Sequence, residues 1–262
     1  MLEASEIKVS LGGTPVLNGV SFKAEAGQLT AIVGPNGSGK TTLLRSVTGD
    51  VAYQGRVSLG GADISVLPAW HLASLRAVLP QASTLAFPFT VIEVVRMGLQ
   101  QSTAGGDEHI ALAALGRVGL ECYANRHLHD LSGGEQQRVQ LARVLSQVWQ
   151  PVQEGVPRWL FVDEPVSSLD IGHQLQVMQI LRDFADAGGG VIAVMHDLNL
   201  TAMYADRVMV MAGGSLIASD TPAKVMTDET LSQAYRCTLK ANALPAGNMP
   251  FILPQMATSI GH

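Results

Sequence analysis

Cysteine is scarce in this sequence of 262 residues. Cys122 and Cys237 stand far apart and form no Cys-x-x-Cys pair, which argues against both a disulfide framework and a zinc site. Lysine and arginine form no run long enough to act as a basic arm, and the formal charge is −5. Because a nucleic-acid surface needs clustered positive charge, nucleic acid is not expected as a partner.

Long apolar runs are also missing. No stretch of about 18 apolar residues occurs, and the acidic N-terminus from Met1 to Glu6 lacks the basic and apolar pattern of a signal peptide. The chain is therefore expected to stay in the cytoplasm without spanning a membrane. Its hydrophobic content of 47% is ample for one large domain, or for a core with an inserted subdomain.

A glycine-rich segment separates an apolar strand (Leu29 to Val33) from an apolar helix. The segment reads Gly34-Pro35-Asn36-Gly37-Ser38-Gly39-Lys40-Thr41-Thr42. Glycines allow successive backbone N–H groups to turn inward on phosphates, and the helix N-terminus adds a positive end. Lys40 would supply charge to the β and γ phosphates of ATP, and Thr41 a hydroxyl ligand to Mg²⁺. The segment predicts a nucleotide-binding loop.

Two carboxylates end a second apolar strand, which begins at Trp159. Asp163 fits a ligand that holds Mg²⁺ directly or through water, and Glu164 a group that polarises the attacking water. Adjacent carboxylates at a buried strand end are costly without a cation. This pair therefore favours phosphoryl-transfer chemistry.

Polar side chains follow two further apolar strands. His196 comes after the run that starts at Gly190, where its ring could bind the γ-phosphate and position the water. Gln81 follows the short strand Ala77 to Pro80 and could touch Mg²⁺ or the water. Neither residue alone indicates a catalytic site. The catalytic interpretation of both depends on the nucleotide-binding loop.

A second glycine-rich helix start reads Leu131-Ser132-Gly133-Gly134-Glu135. Ser132 and the N–H groups of Gly133 and Gly134 would form another phosphate-binding helix N-terminus. One nucleotide does not need two phosphate-binding helix N-termini from the same chain. Two chains packed head-to-tail, each closing its helix start over the other's ATP, would use both.

Hydrophobic patterning predicts an α/β fold with a mostly parallel sheet, an N-terminal antiparallel β-layer and an inserted helical subdomain. The last helix is predicted from Thr221 to Tyr235. The predicted division is an ATPase domain over residues 1–240 and an irregular tail over 241–262. Within the domain, 1–81 and 136–240 form the nucleotide-binding core and 82–135 the helical subdomain.

Taken in order, these motifs resemble the full series of the ABC transporter ATPases, which are P-loop NTPases. The resemblance covers about Leu2 to Tyr235 and includes Ser167-Ser168-Leu169-Asp170. It implies that Glu164 is the general base, His196 the switch histidine and Gln81 the Q-loop glutamine. It also implies that Asp170 contacts the partner in a homodimer, and that two transmembrane permease subunits dock by short helices beside Gln81 and the helical insert.

The segment from Leu79 to Val91, with Glu93-Val94-Val95 and Met97-Gly98, is most similar to haemin importer ATPases, within a group that also serves iron chelates and cobalamin. The resemblance implies haem uptake at the cytoplasmic face of the bacterial inner membrane, with a periplasmic haem-binding protein as an indirect partner. The alternatives are ferric siderophore or cobalamin import, and a soluble ABC-type ATPase acting on DNA or ribosomes. Leu11 stands where many relatives stack an aromatic ring on adenine.

Overall fold

The structure is a computed structural model that describes residues 1–81, 87–101, 107–245, 247 and 250–257. The strands in chain order are β1 (Leu2–Leu11), β2 (Thr14–Ala24), β3 (Leu29–Val33), β4 (Gln54–Leu59), β5 (Ala62–Asp63), β6 (Arg76–Leu79), β7 (Val152–Gln153), β8 (Val156–Pro157), β9 (Trp159–Asp163), β10 (Gly190–Val194), β11 (Arg207–Ala212) and β12 (Ser215–Asp220). The helices are α1 (Lys40–Val47), α2 (Ala69–Leu75), α3 (Val91–Gln100), α4 (Glu108–Arg117), α5 (Gly133–Gln147), α6 (Ile171–Asp186), α7 (Leu198–Tyr204), α8 (Pro222–Val225) and α9 (Asp228–Tyr235).

A six-stranded sheet forms the centre of the molecule, in the order β12-β11-β3-β10-β9-β6. The five strands from β11 to β6 run parallel, and β12 pairs antiparallel with β11. The sheet has an apolar core on each face, and β3 shows why. Its residues Leu29, Ala31 and Val33 enter one core while Ile32 enters the other. Both faces of a β-strand are buried when side chains alternate in this way.

The core that contains Ile32 is covered by an antiparallel sheet in the order β2-β1-β4-β5. This is the β-layer that the sequence predicts, and its first hairpin turns at Gly12 and Gly13. The predicted α/β class, with a mostly parallel sheet, this layer and a helical insert, is confirmed.

The helical insert contains α3 and α4, and the long helix α5, which begins at the end of the insert, packs on both. Each begins at a cap that the sequence supplies: Thr90 and Glu93 form a capping box for α3, Asp107 caps α4, and Ser132 with Glu135 caps α5. Residues 82–86, part of the segment compared above with haemin importer ATPases, lie outside the described residues. So do residues 102–106, which make up most of the polar break predicted from Gln100 to Asp107.

Other predictions need correction. The single helix predicted from Thr221 to Tyr235 is wrong, because the structure has two, α8 and α9. Met226 and Thr227 lie between them, and the Thr227 hydroxyl caps α9. The sequence analysis also missed α2 and the small β7–β8 hairpin. The tail contains a 3-10 turn at Pro254–Met256, from which Gln255 donates a hydrogen bond to Asn199 at the start of α7.

Candidate functional site

The glycine-rich loop connects the end of β3 to the start of α1. Gly34, Gly37 and Gly39 have φ angles of 150°, 75° and 96°, which disfavour residues with a side chain. Close contacts add to this constraint: a Cβ on Gly34 would lie 2.2 Å from the Met211 carbonyl oxygen, and one on Gly39 2.8 Å from Cδ2 of Leu17. The loop conformation therefore depends on glycine at these positions.

Lys40 lies inside this loop and is 6% exposed. Its Nζ donates hydrogen bonds to the carbonyl oxygens of Gly34, at 2.9 Å, and Pro35, at 3.0 Å. Burial lowers the pKa of the Lys40 amine, and the carboxylates of Glu164 and Asp163 act in the opposite direction. Lys40 also helps to line a cavity of about 190 Å³, together with Thr42 and Glu164.

Thr41 and Asp163 meet at the end of β9. The Thr41 hydroxyl donates a hydrogen bond of 3.2 Å to Oδ1 of Asp163, which is 4% exposed. Burial raises the pKa of the Asp163 carboxyl, against the lowering effect of the Thr41 hydrogen bond. Both residues also line a cavity of about 390 Å³ together with Gln81. Hydroxyl, carboxylate and amide oxygens are the hard ligands that Mg²⁺ prefers, so these residues fit that ion.

The Glu164 side chain lies between Gln81 and His196, the two polar residues that the sequence predicts near the phosphates. Its Oε2 accepts a hydrogen bond of 2.8 Å from Nε2 of Gln81, and its Oε1 lies 2.5 Å from Nε2 of His196. These three residues follow the parallel strands β9, β6 and β10, whose carboxyl ends meet at one edge of the sheet.

The Glu164 backbone has a φ of 52°, a left-handed conformation that is uncommon for a residue with a side chain. Its N–H donates to the Val194 carbonyl at 3.1 Å, and its carbonyl accepts from Nε2 of Gln137 at 3.1 Å. Strained conformations of this kind are concentrated at functional sites. The surrounding hydrogen bonds hold the carboxylate beside the nucleotide-binding loop.

The second glycine-rich start lies at the N-terminus of α5. The Ser132 N–H and hydroxyl both donate to Oε2 of Glu135, at 2.8 and 2.7 Å, and hold the pKa of the Glu135 carboxyl below its usual value. Gly134 packs on the segment before α6, since a Cβ there would lie 3.1 Å from Cδ2 of Leu169. Within the described residues, no hydrogen bond joins Leu131 to Glu135 with the loop from Gly34 to Thr42.

Asp170 caps α6. It accepts a hydrogen bond of 3.0 Å from the backbone N–H of His173, and the His173 ring Nδ1 lies 2.9 Å from both of its carboxyl oxygens. These contacts hold the pKa of the Asp170 carboxyl below its usual value. The sequence analysis missed His173, although the three-residue spacing after a capping aspartate is a visible signal. Gln137 was also missed, and its position inside a helix gives no such signal.

These features define a P-loop nucleoside-triphosphate-binding site, with the Glu164 carboxylate beside the loop. The family model described as "ABC transporter" matches residues 17–167, so the chain belongs to the ABC transporter family and its cassette is a transport-coupled ATPase. The chain is 59% identical over 261 residues to the "Hemin import ATP-binding protein HmuV" of Jannaschia sp. (strain CCS1), covering 100% of this chain and 97% of the relative. The protein of the same name from Roseobacter denitrificans is 56% identical, covering 99% of each chain.

Solved structures agree on the fold. An ATP-binding cassette of an ABC transporter in its ADP conformation superposes with a TM-score of 0.76 at 24% identity, covering 90% of this chain and 98% of the other. A dimeric bacterial ABC transporter cassette gives a TM-score of 0.73 at 25% identity, covering 85% and 99%.

Proposed function

We propose that this chain is the ATP-hydrolysing subunit of a haemin importer. The main support for ATP hydrolysis is the position of the Glu164 carboxylate, which contacts both Gln81 and His196 beside the nucleotide-binding loop. The cargo rests on the full-length similarity to proteins named for hemin import.

In the proposed reaction, Glu164 accepts a proton from the water that attacks the γ-phosphate of ATP. His196 and Gln81 orient the carboxylate through the contacts already described, and Lys40 moves from the loop carbonyls to the β and γ phosphates. Thr41 and Asp163 would hold Mg²⁺, with Gln81 as a further ligand. When bound, the ion neutralises charge on the phosphate oxygens.

The proposed active unit contains two copies of the chain. The Ser132 helix start lacks hydrogen bonds to its own nucleotide-binding loop in the described part of the chain, yet its N–H groups suit an anion. In a head-to-tail dimer, the residues from Leu131 to Glu135 would close over the partner's ATP, and Asp170 would lie at the contact.

The proposed membrane partners are two permease subunits, which a periplasmic haem-binding protein loads from the other side. Among the described residues, no helix is long and apolar enough to cross a bilayer. In this proposal the chain is peripheral to the cytoplasmic face of the inner membrane and is held there by the permease.

The test is ATP hydrolysis by the chain assembled with its haemin permease in lipid. The rate is measured with haem-loaded and with apo binding protein, and Glu164→Gln is the catalytic control. Stimulation by the haem-loaded protein that Glu164→Gln abolishes supports the whole proposal. Normal hydrolysis by Glu164→Gln refutes the catalytic assignment, and stimulation only by a siderophore or cobalamin system refutes the cargo.

A further inference from the structure

A tyrosine from α9 reaches the start of the nucleotide-binding loop. Tyr235 is the last residue of this helix, which packs on β11 and β12. Burial raises the pKa of the Tyr235 phenol, and the backbone N–H of Gly34 acts in the opposite direction. The Tyr235 hydroxyl therefore lies beside the first residue of the loop.

Both of these groups are buried, and neither completes a hydrogen bond within the described residues. The Tyr235 hydroxyl has no partner there, and the N–H of Gly34 donates to none of the residues that the structure describes. Buried polar groups are nearly always paired, and each one left unpaired costs free energy. A donor and an acceptor that lie side by side without bonding indicate a hydrogen bond that forms in another state of the loop.

The Gly34 carbonyl makes a contact that differs between the two states. Nζ of Lys40 donates to this carbonyl at 2.9 Å. In the proposed reaction Lys40 leaves it for the phosphates of ATP, so the Gly34 backbone loses the contact that fixes it here. Glycine adopts a wider range of backbone angles than any other residue, and Gly34 already has a φ of 150°. The start of the loop is therefore able to settle against Tyr235 once Lys40 has left.

The helix that carries the tyrosine is held firmly. The Thr227 hydroxyl caps its start, and the chain that follows the helix folds back along it. The Leu239 N–H donates to the Ser232 hydroxyl at 2.9 Å. The Ala241 N–H donates to Oδ1 of Asp228 at 2.7 Å. These contacts fix α9, so the loop moves toward the tyrosine when the hydrogen bond forms.

We propose that Tyr235 is a positioning residue for ATP binding, whose hydroxyl accepts a hydrogen bond from the Gly34 N–H when Lys40 turns to the phosphates. The inference rests on the proposed function and adds to its nucleotide site a residue outside the motifs named above. Without nucleotide the unpaired hydroxyl lowers the stability of the chain, and with nucleotide the pairing is recovered. The hydroxyl therefore contributes to ATP affinity rather than to the stability of the fold.

The experiment compares Tyr235→Phe with its parent in the full chain, because phenylalanine keeps the ring and removes only the hydroxyl. ATP affinity is measured by calorimetry with Glu164→Gln as the parent, in which hydrolysis is expected to be slow. Tyr235→Phe should weaken ATP binding about two- to tenfold, as expected for one hydrogen bond. Without nucleotide its melting temperature should equal or exceed that of the parent, because an unpaired buried hydroxyl has been removed.

Tyr204→Phe, made in the same parent, is the matched control. Tyr204 is also partly buried, and its hydroxyl donates to the carbonyl of Leu175, which belongs to α6 and not to the loop, at 3.5 Å. Loss of this bond should lower the melting temperature slightly and leave ATP affinity unchanged. A purely structural role for the Tyr235 hydroxyl would give Tyr235→Phe the same pattern.

If the parent binds ATP and Tyr235→Phe binds it equally tightly, the inference is wrong while the proposed function stands. The inference is also wrong if Tyr235→Phe melts below the parent without nucleotide, because the hydroxyl would then already be paired in that state. If the wild type and the parent bind no ATP, the proposed function fails and the inference falls with it.

Discussion

Gly98 provides a sharp test of how the helical insert is packed. A Cβ at this position would lie 2.0 Å from the Arg143 carbonyl oxygen and 2.4 Å from the Ser146 hydroxyl. The carbonyl belongs to a helix backbone and cannot rotate away. The Ser146 hydroxyl donates a buried hydrogen bond of 3.0 Å to the Val95 carbonyl, which an added methyl group would disturb. Gly98→Ala should therefore separate α3 from α5.

The size of this effect follows from opposing contributions. Alanine is the better helix former by about 1 kcal/mol. Overpacking costs about 1–3 kcal/mol, and the disturbed hydrogen bond about 1 kcal/mol. The expected net loss is about 2 kcal/mol, which corresponds to a melting temperature lower by roughly 4–8 °C in a chain of this size.

Gly116 of α4 is the matched control, because a Cβ there meets nothing within 4 Å. Gly116→Ala should raise the melting temperature by roughly 2–4 °C through helix propensity alone. Thermal unfolding followed by circular dichroism, without nucleotide, measures both variants. If Gly98→Ala is as stable as Gly116→Ala, the close approach of α3 and α5 is refuted.

Three further predictions concern the nucleotide site. Glu164→Gln should lower the rate of phosphate release by about 10²–10⁴ while ATP still binds, and equal rates would contradict the role of Glu164. Burial raises the pKa of Asp163, so folded chains lose stability as pH rises through that pKa. Asp163→Asn should therefore be more stable than the wild type at neutral pH without Mg²⁺. This difference in stability should vanish when the pH falls below 3.8, the ordinary pKa of an aspartate side chain. Chemical denaturation at a series of pH values measures both effects. Leu11 is 50% exposed, and Leu11→Tyr should lower the KM for ATP by about two- to tenfold if it supplies stacking on adenine; an unchanged KM would show that the base does not lie there.

The strand ends could be read from the sequence because parallel strands bring their carboxyl ends to one edge of a sheet. Apolar runs ending in Asp163, Glu164 or His196 therefore predicted side chains that the structure places together. Glycine spacing predicted the loop after β3 for a similar reason: its conformation is local and depends on backbone freedom.

Contacts between distant segments could not be predicted in this way. The break between α8 and α9 depends on a cap at Thr227, inside a segment whose apolar spacing suits one helix. Gln137 of α5 contacts the Glu164 carbonyl although the two residues lie 27 positions apart in the chain.

One helix connects two of the sites for which we propose a function. α5 begins directly after Ser132 and contacts the Glu164 carbonyl through Gln137. At about 1.5 Å per residue, Ser132 and Gln137 stand roughly 8 Å apart along a single helix axis. In the proposed dimer, a movement of this helix as the Ser132 start closes over the partner's ATP would also reach the chain's own catalytic carboxylate through the Gln137 hydrogen bond.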